Sequence, residues 1–279
     1  MMRKAAGTSI NNAVENISKR EAVSRPQACD SRFKICHAKP WHNLYSFFSA
    51  ITITTEVNVL MKIGIIGGTG DIGKGLALRL SNKHEIILGS REASKACEVA
   101  EETVCTLGER NCASLCRGVS NEEAVRDADI VVISVMFQHV APTLAGINSK
   151  YLENKIIISP VNPMGRKDGY FFFNPPAEGS AALAIEKMLP QSAKIVTAFN
   201  NIAAHKWTLL DEELDYTVAV CGNDVEAKKT VMKLVSEVSK LHAVDAGPLA
   251  VAGIVESLTP LVLNIAQNNG MKDVGVHFS

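Results

Sequence analysis

The sequence predicts an α/β fold in which helices cover a doubly wound parallel sheet, followed by a small C-terminal α/β domain. Three observations predict it. Short apolar segments of strand length alternate with segments of helical periodicity through six cycles between residues 62 and 199, which favours a parallel sheet. A glycine-rich stretch, GGTGDIG at 67–73, follows the first strand and opens the first helix. The formal net charge is zero, and no run of about 18 or more consecutive apolar residues occurs, so we expect neither a nucleic-acid-binding surface nor a membrane span.

The six strands of this alternation are short and rich in β-branched residues, as in IVVIS at 130–134. Continuous apolar runs of this kind are typical of strands buried on both faces. The helix after the glycines carries Ile72, Leu76 and Leu80 at four-residue spacing, which places them on one face. We therefore predict strands at 62–68, 84–90, 113–120, 129–135, 155–161 and 193–199, and helices at 71–81, 92–107, 121–128, 180–189 and over part of 140–152.

The chain changes character after residue 199. We interpret residues 61–199 as a nucleotide-binding domain and residues 200–279 as a small domain that closes the substrate cleft. The first 60 residues are polar and lack apolar periodicity, so we interpret 1–60 as a flexible extension that activity does not need. In the second domain we predict a strand at 216–222, a helix at 224–239, a strand and turn at 241–249, and an apolar helix at 255–270 that Pro260 interrupts and Gly270 ends.

The seven cysteines indicate a reducing compartment. Their number is odd and the chain is 279 residues long, which argues against a secreted disulfide framework. Cys112 and Cys116 are close in sequence, but no histidine lies near them, so we favour free thiols over a metal site. We expect a cytoplasmic protein without a bound metal.

The glycine stretch has the pattern G-x-G-x-x-G, with Gly68, Gly70 and Gly73. We expect Gly68 to permit a tight turn, Gly70 to let the backbone approach a pyrophosphate, and Gly73 to let the helix pack close to the strand. The start of the helix then offers free N–H groups and the positive end of its dipole to the anion. A glycine-rich turn without a ligand is the alternative. The strand before it and the helix after it favour a Rossmann-type dinucleotide site.

The residues after the second strand indicate which dinucleotide binds. An NAD site carries a carboxylate there to bind the ribose 2′-hydroxyl, whereas this chain has Ser90 and Arg91, with Lys95 one helical turn further on. A hydroxyl donor and a guanidinium suit a 2′-phosphate, so we predict NADP as the cofactor. Glu92 opposes this interpretation, but it starts a helix, where a negative charge is favoured. A solvated charge cluster at a helix start is the alternative.

The ends of the later strands should complete the site, because ligands bind at the carboxyl ends of parallel strands. This selects Val135 and Phe137 after the fourth strand and Asn162 after the fifth. The stretch AFNNIAAH at 198–205 leaves the sixth strand toward the cleft. Two adjacent asparagines beside alanines indicate a polar, uncrowded wall for a flat ring, and capping of the next helix is the alternative.

No arrangement of side chains in the sequence demands acid–base or nucleophilic catalysis. We interpret His139 and His205 as surface residues, and we find no paired carboxylates. A hydride that passes between two cofactor-like rings needs no side-chain proton shuttle. It needs the two carbons held about 3–3.5 Å apart in a dry site. We therefore expect no catalytic side chain.

Five stretches of the chain resemble the NADPH-dependent reductases of coenzyme F420. They are KIGIIGGTGDIGKGLALRL, GSREASK, AFNNIAA, DAGPL and ESLTPLVLNI…NGMKDVGV, and the resemblance covers about residues 61–279. Many NADP proteins share the glycine motif, whereas FNNI together with ESLTP and NGM is more specific. The resemblance implies a Rossmann NADP domain, a small C-terminal domain and a homodimer. It also implies reversible hydride transfer between the nicotinamide of NADP and the 8-hydroxy-5-deazaflavin ring of coenzyme F420.

The resemblance also implies roles for individual residues. Some members have histidine where this chain has Asn200, and a second arginine where it has Glu92.

Two alternatives stay open: an NADPH-dependent reductase of ferric iron or an imine on the same scaffold, and an NADP-sensing module without turnover. The expected cofactor-binding residues are Gly68, Thr69, Gly70, Asp71, Ile72, Gly73, Ser90, Arg91, Lys95, Val135, Phe137, Asn162 and Ala204, and the expected deazaflavin-binding residues are Asn200, Asn201 and Ile202.

Overall fold

The computed structural model describes residues 60–272 and 274–278. Except for Leu60, the predicted N-terminal extension lies outside these residues. The strands in this part of the chain are β1 (Lys62–Ile66), β2 (Glu85–Ser90), β3 (Leu115–Ser120), β4 (Ile130–Ile133), β5 (Ile156–Ser159), β6 (Met164–Lys167), β7 (Tyr170–Phe173), β8 (Lys194–Thr197), β9 (Tyr216–Gly222) and β10 (Leu241–Gly247). The α-helices are α1 (Asp71–Leu80), α2 (Ala93–Glu109), α3 (Asn121–Asp127), α4 (Phe137–Ala145), α5 (Ala181–Glu186), α6 (Val225–Ser236) and α7 (Ala252–Asn269), and short 3₁₀ helices span Ser149–Leu152, Ala204–Thr208 and Leu249–Val251.

Eight of these strands form one sheet in the order β10-β9-β8-β5-β4-β1-β2-β3. Neighbouring strands are parallel, except that β8 and β9 are antiparallel. The portion β3-β2-β1-β4-β5-β8 has the strand order of a Rossmann sheet, which confirms the predicted fold class. The order reverses between β1 and β4, so the carboxyl ends of these two strands border the crevice where such sheets bind ligands.

Two apolar cores lie on the two faces of the sheet. On one face, Ile63 and Ile65 of β1 pack with Leu76 and Leu80 of α1. On the other face, Ile66 packs with side chains from α3, α4, α5 and α7. Successive strand residues point to opposite faces, so the isoleucines of KIGII serve both cores. This is why the strand carries no polar side chain after the exposed Lys62.

The strands after residue 200 extend the same sheet. β9 lies beside β8 with Cys221 opposite Thr197, and β10 lies beside β9. Helix α6 packs on them through Val231 and Leu234. The predicted division at residue 200 is therefore not a break in the sheet, and as a functional division it stays a prediction.

Helix α7 runs through Pro260, where the sequence analysis expected an interruption. A proline lacks the backbone N–H that would bond the carbonyl four residues earlier, here that of Glu256. The helix nonetheless continues to Asn269, and Pro260 is buried. Gly270 ends the helix in the left-handed conformation, with a φ of 62°, as predicted.

The segment Leu249–Asn269 is long and apolar enough to cross a membrane, with a mean hydropathy of 1.8. The search for continuous apolar runs did not anticipate it. Polar side chains nevertheless bind this segment to the rest of the fold. Both carboxylate oxygens of Glu256 accept from backbone N–H groups at the start of α5, at 2.7 and 2.9 Å. The Asn264 amide exchanges two hydrogen bonds with the backbone of Phe171 in β7.

The antiparallel hairpin β6–β7 was not predicted. Its two turn residues, Asp168 and Gly169, have φ values of 47° and 88°, as the common two-residue hairpin turn requires. The Asp-Gly pair was the available signal. The flanking residues lack an alternating apolar pattern because most of the hairpin is exposed, so the strand pattern itself was absent.

Candidate functional site

The glycine stretch forms the turn between β1 and α1, at the crevice. Gly67 has a φ of 71°, so it supplies the left-handed conformation of the turn. Gly68, to which the sequence assigned the tight turn, lies inside the turn that the hydrogen bond from the Gly70 N–H to the Gly67 carbonyl closes at 3.1 Å, whereas the positive φ of Gly67 was not predicted. A Cβ at Gly68 would lie 2.8 Å from the side chain of Leu88, so glycine is needed there for close packing against β2.

Gly70 leaves the start of α1 open. A Cβ added at Gly70 would meet only the carbonyl oxygen of Gly67, 3.6 Å away. Gly70 is the N-cap of α1, and no side chain caps the helix. The first N–H groups of α1 are therefore available to an external acceptor. Together with the positive end of the helix dipole they suit an anion such as a pyrophosphate, with Thr69 and Asp71 on either side of Gly70.

Gly73 lets α1 approach the turn closely. A Cβ at Gly73 would lie 2.6 Å from the Cα atom of Gly68 and 2.7 Å from its carbonyl oxygen. Any side chain there would push the helix start away from the turn. This agrees with the role expected of Gly73.

Asn121, directly after β3, binds the glycine turn that follows β1. Its Oδ1 accepts from the N–H of Gly67 at 3.3 Å. Ser120 and Glu123 form a capping box at the start of α3, which fixes the backbone on either side of Asn121. Asn121 was not predicted as part of the site, because its partner Gly67 lies 54 residues earlier in the chain. The Ser-x-x-Glu pattern at 120–123 was the available signal.

The polar cluster after β2 lies next to the glycine turn, because the N–H of Gly68 donates to the Gly89 carbonyl at 2.9 Å. Ser90 is buried, and its Oγ accepts from the N–H of Glu92 at 3.3 Å. Arg91 is exposed and takes part in no hydrogen bond or ion pair within the described ranges 60–272 and 274–278. The guanidinium of Arg91 is therefore available to a ligand at this edge of the crevice.

Lys95, in contrast, is already paired. Its Nζ lies 2.8 Å from Oε1 of Glu92, and both side chains are more than half exposed. The hydrogen bond from Lys95 holds the pKa of the Glu92 carboxyl below its usual value. Glu92 is the N-cap of α2, but its side chain accepts no hydrogen bond from the first N–H groups of the helix. Its carboxylate accepts from Lys95 instead.

Val135 and Phe137 lie after β4, on the other side of the turn. A Cβ at Gly67 would overlap the side chain of Val135, so Val135 packs directly on the glycine turn. Phe137 is half-buried at the start of α4. Met136 between them is 66% exposed. The residues predicted from the end of β4 therefore lie on the turn side of the crevice.

Asn162 and Asn200 join the carboxyl ends of β5 and β8. Nδ2 of Asn162 donates to the backbone carbonyl of Asn200 at 2.8 Å, which fixes the Asn162 amide because a carbonyl can only accept. Oδ1 of Asn162 then accepts from Nδ2 of Asn200 at 3.0 Å, and the same nitrogen donates to the Val161 carbonyl at 3.2 Å. Both amide hydrogens of Asn200 are used in this way. Its Oδ1 is buried and has no partner among the described residues.

Asn201 and Ile202 are also buried. Nδ2 of Asn201 donates to the Thr217 carbonyl at 2.9 Å, and Ile202 packs in the core that includes α1. Asn200 and Asn201 are each 2% exposed, so the turn after β8 is more tightly packed than the sequence indicated. Ala204 is exposed and opens the 3₁₀ helix Ala204–Thr208.

Helix α7 holds the turn after β8 in place. Phe199 has a φ of 67°, which is strained for a bulky residue. The Oγ1 of Thr259 donates to the carbonyl of Asn200 at 2.5 Å. The sequence analysis had noted the ESLTP stretch without giving Thr259 a contact, since its partner lies 59 residues away.

The titratable side chains around the crevice do not form an acid–base pair in the described part of the chain. His139 and His205 are exposed, as expected. Glu256 is fully buried, and burial raises the pKa of its carboxyl to about 7. Its oxygens accept from α5. The five cysteines of the described residues are free thiols.

The glycine turn, with an uncapped helix start at the switch point of a Rossmann sheet, defines the class: a dinucleotide-binding α/β protein. Comparison with known proteins places it within that class. The family model described as "NADP oxidoreductase coenzyme F420-dependent" matches residues 62–163. The F420-dependent NADP reductase of Methanocaldococcus jannaschii is 35% identical over 78% of this chain and 98% of its own length. That of Methanothermobacter thermautotrophicus is 33% identical over 79% and 96%.

The chain therefore belongs to the family of F420-dependent NADP reductases. A solved structure from Arthrobacter sp. FB24 has the same fold, with a TM-score of 0.65 and 24% identity over 78% of this chain and 99% of that one.

Proposed function

We propose that the chain is an oxidoreductase that transfers a hydride reversibly between NADP(H) and coenzyme F420, an 8-hydroxy-5-deazaflavin. The observation that carries the proposal is the pairing of two features at one crevice. The start of α1, which no side chain caps, lies beside Arg91, which has no hydrogen bond or ion pair among residues 60–272 and 274–278. The facing strand end is a buried amide turn, and no acid–base pair accompanies it among the same residues. The names of the two archaeal relatives support the same assignment.

The residues around the glycine turn fit NADP(H). Gly70 leaves space above an uncapped helix start, as a pyrophosphate needs. Arg91 would bind the 2′-phosphate with Ser90, while Lys95 would first have to leave Glu92. We assign the pyrophosphate to Gly68, Thr69, Gly70, Asp71, Ile72 and Gly73, the 2′-phosphate to Ser90, Arg91 and Lys95, and the nicotinamide end to Val135, Phe137, Asn162 and Ala204.

Asn200, Asn201 and Ile202 would form the wall for the deazaflavin. The Asn200 amide has no hydrogen left to donate to the ring, because both are used by the Val161 carbonyl and the Asn162 side chain. We assign Asn200 a positioning role, in which its side chain and its carbonyl fix the turn. The bound rings would supply the hydride and its acceptor, while the protein holds them in place and excludes water.

We also propose a homodimer. Helix α7 exposes Ile254, Leu261 and Ile265 to between 38% and 70%, and their spacing places them on one side of the helix. The hairpin that Asn264 ties to α7 exposes further apolar side chains. An exposed apolar surface of this kind is typical of a protein interface. In this arrangement residues 200–279 close the cleft and join the subunits, and a cytoplasmic location stays a prediction.

The proposal is tested by mixing the purified chain with NADPH and coenzyme F420 and following the loss of the deazaflavin absorbance. We expect turnover with F420, and none with ferric citrate or a cyclic imine in its place. Turnover with either of those substrates and none with F420 would show a different reductase. NADPH binding without any turnover would show a sensing module.

The role of the turn is tested with Asn200→Ala. We expect a higher KM for F420 and a lower kcat, with NADPH affinity nearly unchanged. The pH–rate profile should keep its shape, because no titrating group is removed. His205→Ala is the control, since His205 is exposed on the same segment. Unchanged F420 kinetics in Asn200→Ala would move the deazaflavin site elsewhere.

A further inference from the structure

Arg79, in the last turn of α1, binds the segment that follows the β8 turn. Its Nε donates to the carbonyl of Trp207 at 2.9 Å. Its Nη2 donates to the carbonyls of Lys206, Leu209 and Glu212 at 3.2, 2.8 and 3.2 Å. One planar guanidinium thus donates to four backbone carbonyls, two within the 3₁₀ helix Ala204–Thr208 and two after it. A lysine ammonium cannot reproduce this arrangement.

Trp207 packs directly on the backbone of α1 at Gly75. A Cβ at Gly75 would overlap the Cβ of Trp207 and would lie 3.0 Å from its Cα atom. Trp207 is fully buried. The 3₁₀ helix is therefore fixed to α1 by a close contact at Gly75 and by the hydrogen bonds of Arg79 one turn further along.

Trp207 also supports the strained turn. Its ring meets the ring of Phe199 edge to face, with 5.5 Å between centroids and 73° between planes. Phe199 has the positive φ and directly precedes Asn200. A strained conformation persists only where its surroundings determine it. Here the surroundings are Trp207 on one side and the hydrogen bond from Thr259 to Asn200 on the other.

We propose that Arg79 and Trp207 form a brace that sets the position of the Phe199–Asn201 turn relative to α1. The start of α1 would bind the pyrophosphate, and the turn would bind the deazaflavin. The brace therefore fixes the distance between the two halves of the site. Arg79 is a positioning residue for hydride transfer although it lies at the opposite end of α1 from the proposed cofactor. This inference rests on the proposed function.

The brace itself is tested without any ligand. The chain contains two tryptophans, so a Trp41→Phe background leaves Trp207 as the single emitter. In that background we expect blue-shifted emission that acrylamide quenches poorly, because Trp207 is buried. Arg79→Met should shift the emission to the red, increase quenching and speed amide hydrogen exchange over residues 198–212. Unchanged emission and exchange would overturn the brace.

The effect on alignment is tested by single-turnover reduction of F420 by saturating NADPH. A misplacement of about 1 Å can slow a reaction by about 100-fold, so we expect Arg79→Met to slow hydride transfer about 10- to 100-fold. NADPH affinity should fall by much less than the transfer rate, because Arg91 and the start of α1 are untouched and, of the residues assigned to NADP, Ala204 alone lies on the 3₁₀ helix that Arg79 holds. Arg79→Lys keeps the charge and one donor group, so its rate of hydride transfer should fall between those of the wild type and Arg79→Met. A variant that is only less stable would lose active sites, but its rate per active site would not change.

Arg110→Met is the matched control. Arg110 binds Asp211 through two hydrogen bonds of 2.8 Å, so it tethers the same segment on the surface without touching Trp207. We expect wild-type rates from it. Equal slowing in both arginine variants would overturn the specific role of Arg79, as would a wild-type rate in Arg79→Met.

Two further outcomes are distinguishable. If Arg79→Met does not fold, Arg79→Lys answers the same two questions, and Trp207→Phe, which removes the emitter, is read by hydrogen exchange over residues 198–212 and by the rate of hydride transfer. If the wild type transfers no hydride to F420, the proposed function fails and the alignment role fails with it. The ligand-free measurements still decide whether the brace exists.

Discussion

Replacing Arg91 by alanine separates recognition of the 2′-phosphate from recognition of the rest of the dinucleotide. Arg91 is exposed and has no competing ion pair in the described part of the chain, so its whole donor set is available to a ligand. Charge-assisted hydrogen bonds contribute about 1.5–3 kcal/mol each. Arg91→Ala should therefore weaken NADPH binding by about one to two decades. NADH binding should barely change, because NADH has no 2′-phosphate to lose.

The neighbouring residues give matched controls for this prediction. Lys95 is paired with Glu92 at 2.8 Å, so Lys95→Ala removes a partly satisfied cation and should weaken NADPH binding less than Arg91→Ala does. Glu92→Gln frees Lys95 and removes a like charge, so it should tighten NADPH binding. Titration of NADPH and NADH fluorescence with each variant measures all of these constants. Equal losses for both dinucleotides in Arg91→Ala would refute the assignment and give Arg91 a role in the fold.

Three further predictions follow from packing, burial and exposure. Gly73→Ala places a methyl group 2.6 Å from the Cα atom of Gly68, so it should cost about 1–3 kcal/mol of stability and weaken NADPH binding. Gly108→Ala, which meets no atom within 4 Å, should do neither in the same melting and binding assays. Burial raises the pKa of Glu256 to about 7, so the folded state binds this proton more tightly than the unfolded chain. The resulting stability is complete below about pH 4.5 and is lost as the pH rises through 7, a change of about 3 kcal/mol. The urea midpoint of unfolding should be higher at pH 5 than at pH 8, and Glu256→Gln should remove most of this difference. An unchanged pH dependence in Glu256→Gln would show that Glu256 does not cause it. Leu261→Glu places a charge on the exposed apolar face of α7 and should convert a dimer to monomers in sedimentation experiments. A wild-type chain that sediments as a monomer would rule out the proposed interface.

The fold class, the glycine turn and the place of the polar residues beside it could be predicted from the sequence. All three depend on local patterns. Isoleucines point to both faces of β1 because both faces are buried, and this is visible in the four residues after Lys62. Ser90 ends β2 and Arg91 directly follows it, so their place at the carboxyl end of the strand follows from the chain itself.

The rest of the site depended on the tertiary structure. Asn121 reaches Gly67 across 54 residues, and Thr259 reaches Asn200 across 59. Such contacts depend on which strand ends lie close together in the sheet. The periodicity of a single segment predicts a strand but does not predict the order of the strands. The same reason explains why β9 and β10 were assigned to a separate domain, although they continue the sheet beside β8.

The sequence by itself determined the alternation of strands and helices, the glycine turn and the cationic cluster, because these follow from the chemistry of adjacent residues. Only the tertiary structure decided that Gly67 rather than Gly68 takes the positive φ, that the hydrogens of Asn200 are already used, and that Arg79 reaches four carbonyls more than 120 residues away. The backbone conformation of Gly67, the used amide hydrogens of Asn200 and the hydrogen bonds of the half-buried Arg79 each depend on every group that surrounds them. Those surroundings exist only when distant parts of the chain have packed together.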